Sequence, residues 1–428
     1  MKAAFYTLGC KVNQYESQYL SELLQKAGFE IVSANDEADI YIINSCTVTA
    51  VSDQKTRQSV RRFKRNHPNS VVVLTGCMPQ AYPDAADQLK EADIVLSNSN
   101  NNDILEMIDA FFTKQTRIVN VIRHEAGEAF SASSISRFSE RTRAFVKIED
   151  GCDRYCSYCI IPTARGRVRS KPLDELKKEI AALADSGISE IVLVGINLSA
   201  YGKGSDMDIC DAVEAVCANP GIRRVRLGSL EPDHLTAGVI GRLSRQNKLC
   251  PQFHISLQSG CDKTLKKMNR HYSCEEYAAL AASLRSCFDG CTLTTDVMVG
   301  FPGETDGDFL ESVNFVKKIG FEKVHVFPYS PRENTPAAKM EQVQKAVKEE
   351  RARHMAHVSG EIRRQYLQSQ IGHTLSVLFE SRHEPDIYSG YTKNYTPVRI
   401  PSDENLSGCT IDVLITGNTE EYCIGRRL

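Results

Sequence analysis

The chain has 428 residues, of which 42% are hydrophobic and 25% charged, with a formal net charge of −2. The composition is that of a globular protein, and the length predicts about three domains. No apolar stretch approaches the ~20 residues of a transmembrane helix, and the first residues enter a strand pattern rather than a signal peptide. We therefore expect a cytoplasmic protein with no membrane partner, whose 15 cysteines do not form a disulfide framework.

The first 115 residues contain four short apolar runs that alternate with helical patterns. This alternation predicts a small doubly wound α/β domain over residues 1–115. Three of the runs are followed closely by a cysteine, namely Cys10, Cys46 and Cys77. Because the carboxyl ends of parallel strands meet at one edge of a sheet, we expect these thiols to converge. Buried structural cysteines are the alternative, and the repeated placement favours a ligand set.

A second group of cysteines follows a segment without periodicity. Residues 116–140 are predicted to be a linker, and Arg143–Ile148 is predicted to be a strand that leads into a C-x₃-C-x₂-C loop with Cys152, Cys156 and Cys159. A structural zinc site would need four closed ligands, and the chain offers no second pair that fits. Three thiolates instead suit a [4Fe–4S] cluster with one iron left open, since such a cluster usually has four cysteines.

Residues 141–370 alternate again between strand and helix patterns. They predict a partial (β/α)₆ barrel that ends in a long charged helix over 339–370. The turns after the strands, where such barrels carry their chemistry, contain Gly195, Gln258, Ser259, Gly300, Gly303 and Glu304. Residues 371–428 contain short alternating strands separated by turn residues, which predict a small β-barrel.

Longer stretches of the sequence resemble one enzyme family. The C-x₃-C-x₂-C spacing resembles that of radical S-adenosylmethionine (SAM) enzymes. With four further stretches, the chain resembles the methylthiotransferases over nearly its whole length. These enzymes insert a methylthio group into a C–H bond of tRNA or of a ribosomal protein. The stretches are Thr7–Ser17 (TLGCKVNQYES), Asn44–Val48 (NSCTV), Thr75–Cys77 (TGC) and Asp296–Thr305 (DVMVGFPGET).

The resemblance implies cofactors and partners. It implies two [4Fe–4S] clusters, one on each set of three cysteines, and SAM bound near the turn residues named above. The stretch Val194-Gly-Ile-Asn197 departs from the Gly-Gly-Glu of many relatives. The last domain resembles the TRAM module, which binds RNA. The implied partners are tRNA, a low-potential electron donor and a sulfur source.

The sequence of Leu8–Glu16 is most similar to that of the family members that act on N6-threonylcarbamoyladenosine beside the tRNA anticodon. This implies conversion of that nucleoside to its 2-methylthio derivative. Three alternatives stay open: an aspartate of a small-subunit ribosomal protein, another tRNA adenosine such as the isopentenyl form, and a non-catalytic iron–sulfur RNA-binding regulator.

Local charge suggests where RNA could bind, although the net charge does not. Cations cluster between Arg141 and Lys171 and again between Lys55 and Arg65, and phosphate neutralisation by such residues supplies much of the affinity for nucleic acid. The candidates are Arg165, Arg167, Arg169, Lys55, Arg57 and Arg61. A solvated helix face is the alternative for the second run. Residues 371–428 carry five cations and eight acids, so RNA contacts there would depend on a local patch such as Tyr391, Lys393 and Tyr395. Tyrosines buried in the β-barrel are the alternative.

Overall fold

The computed structural model describes residues 1–131, 133–137, 142–384 and 386–428. They form an amino-terminal α/β domain, a partial barrel and a small closed β-barrel. Arg141, counted in one basic run, lies outside the described residues, as do several positions of the predicted linker. Among the described residues, no helix is both long and apolar enough to cross a membrane.

The amino-terminal domain is a six-stranded parallel sheet in the order β2-β1-β3-β4-β5-β6. Its strands are β1 Lys2–Thr7, β2 Glu30–Val32, β3 Ile40–Ser45, β4 Val71–Gly76, β5 Ile94–Leu96 and β6 Ile118–Asn120. Its helices are α1 Lys11–Lys26, α2 Ala50–Asn66, α3 Cys77–Ala81, α4 Pro83–Asp87 and α5 Ile104–Lys114. Alternate strand residues enter two separate hydrophobic clusters, as expected for a parallel sheet covered on both faces.

Two details of the sequence-based prediction were wrong here. The sheet has six strands rather than four, because the edge strands β2 and β6 have only three residues each. Strand β6 also lies inside the predicted linker, so the first domain continues beyond residue 115.

The central domain has six parallel strand positions, as predicted. The third position is interrupted at Gly228. Its strands are β7 Arg143–Lys147, β8 Glu149–Asp150, β9 Arg169–Ser170, β10 Glu190–Val194, β11 Arg224–Leu227, β12 Ser229–Leu230, β13 Gln252–Ile255, β14 Thr292–Val299 and β15 Lys323–Pro328. Its helices are α6 Ile161–Arg165, α7 Leu173–Asp185, α8 Ile209–Ala218, α9 Ala237–Leu243, α10 Asp262–Lys267, α11 Cys274–Cys287, α12 Asp306–Ile319 and α13 Lys345–Ser369. The long helix begins six residues later than predicted.

The carboxyl-terminal residues form a closed five-stranded barrel in the order β16-β17-β18-β20-β19, which confirms the predicted β-barrel. Its strands are β16 Thr374–Glu384, β17 Ile387–Thr392, β18 Pro397–Pro401, β19 Thr410–Asn418 and β20 Cys423–Arg427.

The three domains share buried contacts. Val12 and Tyr15 of α1 belong to the same hydrophobic cluster as the barrel core, so the first domain packs on the barrel through the helix that follows Cys10. On the other side, the Arg226 guanidinium of β11 donates to the backbone carbonyls of Thr392 and Lys393 at 2.7 Å each. The carboxyl-terminal β-barrel is thereby attached to the partial barrel near the amino-terminal ends of the partial barrel's strands.

Candidate active site: two cysteine triads

Cys10, Cys46 and Cys77 lie at the carboxyl ends of three neighbouring strands. Cys10 caps the amino terminus of α1 after β1, Cys46 directly follows β3, and Cys77 begins α3 after β4. Because β1, β3 and β4 are adjacent in the sheet, the three thiols meet at one edge. We call them the amino-terminal triad.

The polar residues around Cys10 hold this edge together. The Asn13 side-chain amide donates to the carbonyls of Leu8 at 2.8 Å and Ser45 at 2.9 Å, which joins the loops that carry Cys10 and Cys46. A side chain at Gly9 would place its Cβ 2.7 Å from the Cβ of Cys46, and the φ of Gly9 is +103°. Only glycine fits this approach.

A buried arginine connects the amino-terminal triad to the barrel. The Arg165 side chain is 1% exposed, and its Nε donates to the Cys77 Sγ at 3.2 Å. Its Nη2 donates to Asn13 Oδ1 at 2.6 Å and to Glu16 Oε2 at 3.0 Å. We call Glu16, Lys147, Asp150 and Arg165 the buried ion cluster.

The charges of the buried ion cluster compensate one another. Lys147 Nζ lies 3.0 Å from Glu16 Oε1 and 3.2 Å from Asp150 Oδ2. Burial alone would raise the pKa of the Glu16 carboxyl, but Arg165 and Lys147 hold that pKa below its ordinary value. Glu16 is therefore an anion inside the protein, which is favourable only while its cationic partners remain.

Cys152, Cys156 and Cys159 lie in the loop between β8 and α6, and we call them the barrel triad. The Arg270 Nη1 donates to the Cys156 Sγ at 3.3 Å, and the same nitrogen lies 3.3 Å from Glu231 Oε1. At Gly151 the φ is +88° and an added Cβ would lie 1.9 Å from the Arg167 carbonyl oxygen. The chain therefore requires glycine immediately before Cys152.

The two triads are neighbours. Helix α6 begins two residues after Cys159 and packs on α3, whose first residue is Cys77. Cys77, Ile160 and Ala164 belong to one small hydrophobic cluster, and α6 ends at Arg165.

The donor sets fit iron–sulfur clusters. Each triad offers soft thiol ligands, and in each triad one sulfur accepts a hydrogen bond from a guanidinium. Hydrogen bonds to the sulfur atoms are one means by which proteins adjust the reduction potential of such clusters. Burial raises the pKa of Cys77 and of Cys152 to about 12, so a metal must displace the thiol protons when it binds. Within the described parts of the chain, no three His, Cys, Asp or Glu side chains are placed to hold a single metal ion. A cluster of four irons is larger than one ion, and its ligands stand further apart.

The predicted SAM-binding residues are held by protein contacts. Gly195 lies against the buried Glu149 carboxylate, where an added Cβ would come within 2.6 Å of Oε2. Glu149 Oε1 has no hydrogen-bond partner among the residues that the structure describes. Gln258 has a φ of +64°. The Ser259 hydroxyl is buried and accepts from the Cys261 amide at 3.3 Å.

The turn at 300–304 is fixed by the long helix. The Glu304 carboxylate accepts from the Gly300 amide at 2.8 Å and pairs with Arg351 at 2.7 Å. An added Cβ at Gly300 would lie 2.5 Å from the Lys348 side chain, and one at Gly303 would lie 2.6 Å from Lys267 Nζ. Packing therefore accounts for this turn, and its contact with SAM stays a prediction.

The candidate RNA-binding cations separate into buried and exposed groups. Arg165 is part of the buried ion cluster, so the prediction that it contacts RNA was wrong. The Arg169 side chain is 9% exposed and faces Asp150 and Glu128. Arg167 is exposed.

The run on α2 is mostly on the surface. Lys55 is exposed, Arg57 is half-buried, and Arg61 pairs with Glu91 at 3.2 Å. The aromatic candidates of the last domain face the barrel, where the Tyr391 and Tyr395 rings stack at 4.4 Å and the Arg143 guanidinium lies about 5 Å from both.

Comparison with known proteins agrees with this architecture. Residues 2–97 match the Uncharacterized protein family UPF0004, and residues 146–316 match the Radical SAM superfamily. The chain is 37% identical over 419 residues to the threonylcarbamoyladenosine tRNA methylthiotransferase of Bacillus subtilis, covering 96% of this chain and 93% of the relative. The chain belongs to the radical SAM tRNA methylthiotransferases. SAM and a [4Fe–4S] cluster are the cofactors of this enzyme class.

The chain is also similar to a second kind of tRNA-modifying enzyme and to a solved radical SAM structure. A tRNA-2-methylthio-N(6)-dimethylallyladenosine synthase of Natranaerobius thermophilus is 34% identical over 96% of this chain and 94% of its own length, so membership in the methylthiotransferases alone does not identify the adenosine. The solved structure of the radical SAM methyltransferase TsrM from Kitasatospora setae matches with a TM-score of 0.57 at 14% identity, over 79% of this chain and 74% of that one. This likeness shows the fold.

Sequence reasoning missed the partners of the sulfur atoms in this methylthiotransferase. Sequence reasoning did not place Arg165 or Arg270 at a sulfur atom. It also did not identify Glu16 and Glu231 as the carboxylates that pair with these two arginines. No local pattern marks Arg270, because its contact with Cys156 joins residues 114 positions apart. An Asp or Glu among buried neighbours, as at Glu16, was the signal that was available.

Replacing Arg270 with methionine should slow SAM cleavage roughly 10-fold to 100-fold. The change removes a positive charge and an N–H donor from Cys156, which makes a thiolate-bound cluster harder to reduce. The measurement is the rate of 5′-deoxyadenosine formation at equal iron content, with Arg242→Met as the control because Arg242 pairs with Asp211 and Glu214 on the surface. An unchanged rate would show that Arg270 has no influence on the cluster.

Proposed function

We propose that this chain converts N6-threonylcarbamoyladenosine next to the tRNA anticodon to its 2-methylthio derivative. The observation that carries the reaction is the pair of neighbouring three-cysteine sites joined through α3 and α6. The choice of substrate is supported by relatives of the chain that are named for threonylcarbamoyladenosine. One of them, from Bacillus subtilis, is 37% identical to the chain. A cytoplasmic location accords with a tRNA substrate.

Cys152, Cys156 and Cys159 would hold the [4Fe–4S] cluster that works with SAM, and Cys10, Cys46 and Cys77 would hold a second one. When bound, these groups supply the radical chemistry and the site for the sulfur that is transferred. Each set of three thiols would leave one iron of a four-iron cluster without a cysteine ligand.

The protein's own side chains prepare these two sites. Arg165 and Arg270 place a guanidinium at Cys77 and Cys156, which offsets the negative charge of thiolates in a buried setting. The apolar packing of α3 on α6 joins the segments that carry Cys77 and Cys159.

The remaining predicted contacts belong to the same proposal. SAM would lie among the turns that carry Gly195, Gln258, Ser259, Gly300, Gly303 and Glu304. The tRNA phosphates would contact exposed cations, of which Lys55, Arg57, Arg61 and Arg167 are the available candidates. The reaction also requires a low-potential electron donor and a source of sulfur.

The test is mass spectrometry of nucleosides from threonylcarbamoylated tRNA after anaerobic incubation with reconstituted protein, SAM, sulfide and a reductant. We expect the 2-methylthio derivative with the intact protein and none with a Cys156→Ala variant. Abundant 5′-deoxyadenosine without modified tRNA would keep the radical enzyme and redirect the search to another adenosine or to the ribosomal protein. Neither product, with both clusters loaded, would contradict the enzymatic function.

A further inference from the structure

A large cavity lies inside the partial barrel. It has a volume of about 1140 Å³ and extends from the barrel interior to the β-barrel domain. Its wall includes Phe145, His254, Asp296 and His325 on the barrel strands. Lys11 contributes to the same wall from the amino-terminal domain, so this cavity adjoins the helix start that carries Cys10.

The Lys11 ammonium is available to a ligand. Lys11 is exposed to the cavity, and its Nζ lies 5.9 Å from the centre of the Phe145 ring. Among the residues that the structure describes, no acceptor or carboxylate bonds to this ammonium.

Two arginines of the same wall, Arg226 and Arg143, are already engaged. Arg226 pairs with Glu190 at 2.7 Å and donates to two backbone carbonyls, and Arg143 lies 3.0 Å from the Glu380 carboxylate. Their charges fix the domains together. Lys11 differs from these two arginines in having no carboxylate partner among the described residues, and it directly follows Cys10 of the amino-terminal triad.

The chemistry of the substrate places an anion in this region. In adenine, C2 and the N6 substituent flank N1 and lie on one edge of the ring. A base that brings C2 to the amino-terminal triad therefore also brings its N6 substituent near that triad, and Lys11 directly follows one of its cysteines. In N6-threonylcarbamoyladenosine that substituent ends in a carboxylate, whereas the dimethylallyl group named for the second set of relatives is uncharged and apolar.

We propose that Lys11 is a specificity-determining residue that binds the carboxylate of the threonylcarbamoyl group. This assignment rests on the proposed function and names the part of the substrate that the cavity recognises. An ammonium–carboxylate contact in a partly dry cavity is a strong hydrogen bond. An apolar substituent would instead leave the Lys11 charge desolvated and unpaired, so the same residue selects against the dimethylallyl form.

The test compares two anticodon stem-loop RNAs that differ in one group. One carries N6-threonylcarbamoyladenosine, and the other carries the same nucleoside with its carboxylate converted to a carboxamide. Dissociation constants are measured for the cluster-loaded protein without SAM, and kcat/KM is measured with SAM and reductant. The variants are Lys11→Met and Lys11→Arg, with Lys26→Met as a matched control because Lys26 is an exposed lysine at the other end of α1.

The wild-type protein and the Lys26→Met control should prefer the carboxylate RNA over the carboxamide by about tenfold or more in both measurements. Lys11→Met should bring this ratio close to one at unchanged iron content, and Lys11→Arg should retain most of it. A wild-type preference that survives in Lys11→Met would overturn the assignment, as would a wild-type protein that binds both RNAs equally. If the binding preference depends on Lys11 but neither RNA is modified, the assignment stands and the proposed function fails.

Discussion

A Cys77→Ala variant should still cleave SAM to 5′-deoxyadenosine but should form no 2-methylthio product. Cys77 belongs to the amino-terminal triad, whereas the proposed site of SAM cleavage is the barrel triad. With two thiols left, the amino-terminal triad would not retain a cluster, and no sulfur could be delivered. The measurement is a parallel assay of 5′-deoxyadenosine and modified nucleoside, which should show product falling below detection while cleavage persists.

A Cys156→Ala variant is the matched control, because it removes one thiol from the other triad. It should lose both products and retain the iron held by the amino-terminal triad, which iron analysis and absorption spectroscopy would show. If Cys77→Ala also lost SAM cleavage at full iron occupancy of the barrel triad, the two sites would not be functionally separate. Retention of methylthio transfer in Cys77→Ala would remove the amino-terminal triad from the reaction.

The position of the cysteines could be predicted because it depends on a local rule. Cys10, Cys46 and Cys77 each follow a short apolar strand, and parallel strands of one sheet end at a common edge. The order β1-β3-β4 then brings the thiols together without any knowledge of the rest of the chain. The barrel triad could also be predicted from the sequence, because its three cysteines lie within eight residues and no knowledge of the tertiary structure is needed to bring them together.

The surroundings of the sulfur atoms could not be predicted in this way. Arg165 is one of several alternating arginines, yet it turns inward to a cysteine, because α6 packs on α3 and points its last residue at Cys77. The same holds for the turn at Gly300, which suggested a cofactor loop. Its contacts with Lys348 and Arg351 involve a helix more than forty positions along the chain.

The carboxyl-terminal domain shows a similar division. The pattern of short alternating strands predicted its β-barrel correctly. The contacts of its tyrosines could not be predicted, because they depend on how this domain packs against the partial barrel. Tyr391 and Tyr395 stack on each other beside Arg143 at the domain boundary. Aromatic residues in a net acidic domain were therefore better explained by contact with the barrel's own arginines than by contact with RNA bases.

An Arg165→Met variant should lose about 3–5 kcal/mol of the free energy of unfolding. Arg165 is the cation that contacts Glu16, Asn13 and Cys77 together, at a side-chain exposure of 1%. Without it, Glu16 keeps only Lys147, which it shares with Asp150, so the buried Glu16 carboxylate is no longer fully compensated. We also expect the iron content of the amino-terminal triad to fall, because the Cys77 sulfur loses its donor. Urea unfolding of the metal-free protein and iron analysis of the reconstituted protein measure the two effects separately.

Two comparisons make this result specific to the buried ion cluster. Arg61→Met, which breaks the exposed pair with Glu91, should cost at most about 1 kcal/mol. A double variant, Arg165→Met with Glu16→Gln, should recover part of the loss, since removing both partners of a buried pair is less harmful than leaving one charge alone. If Arg165→Met unfolds at the same urea concentration as Arg61→Met, the contacts of Arg165 do not hold the two cysteine-bearing domains together. Recovery in the double variant would instead show that the loss in the free energy of unfolding comes from the uncompensated Glu16 charge. That charge is the reason a buried arginine is needed beside the Cys77 sulfur.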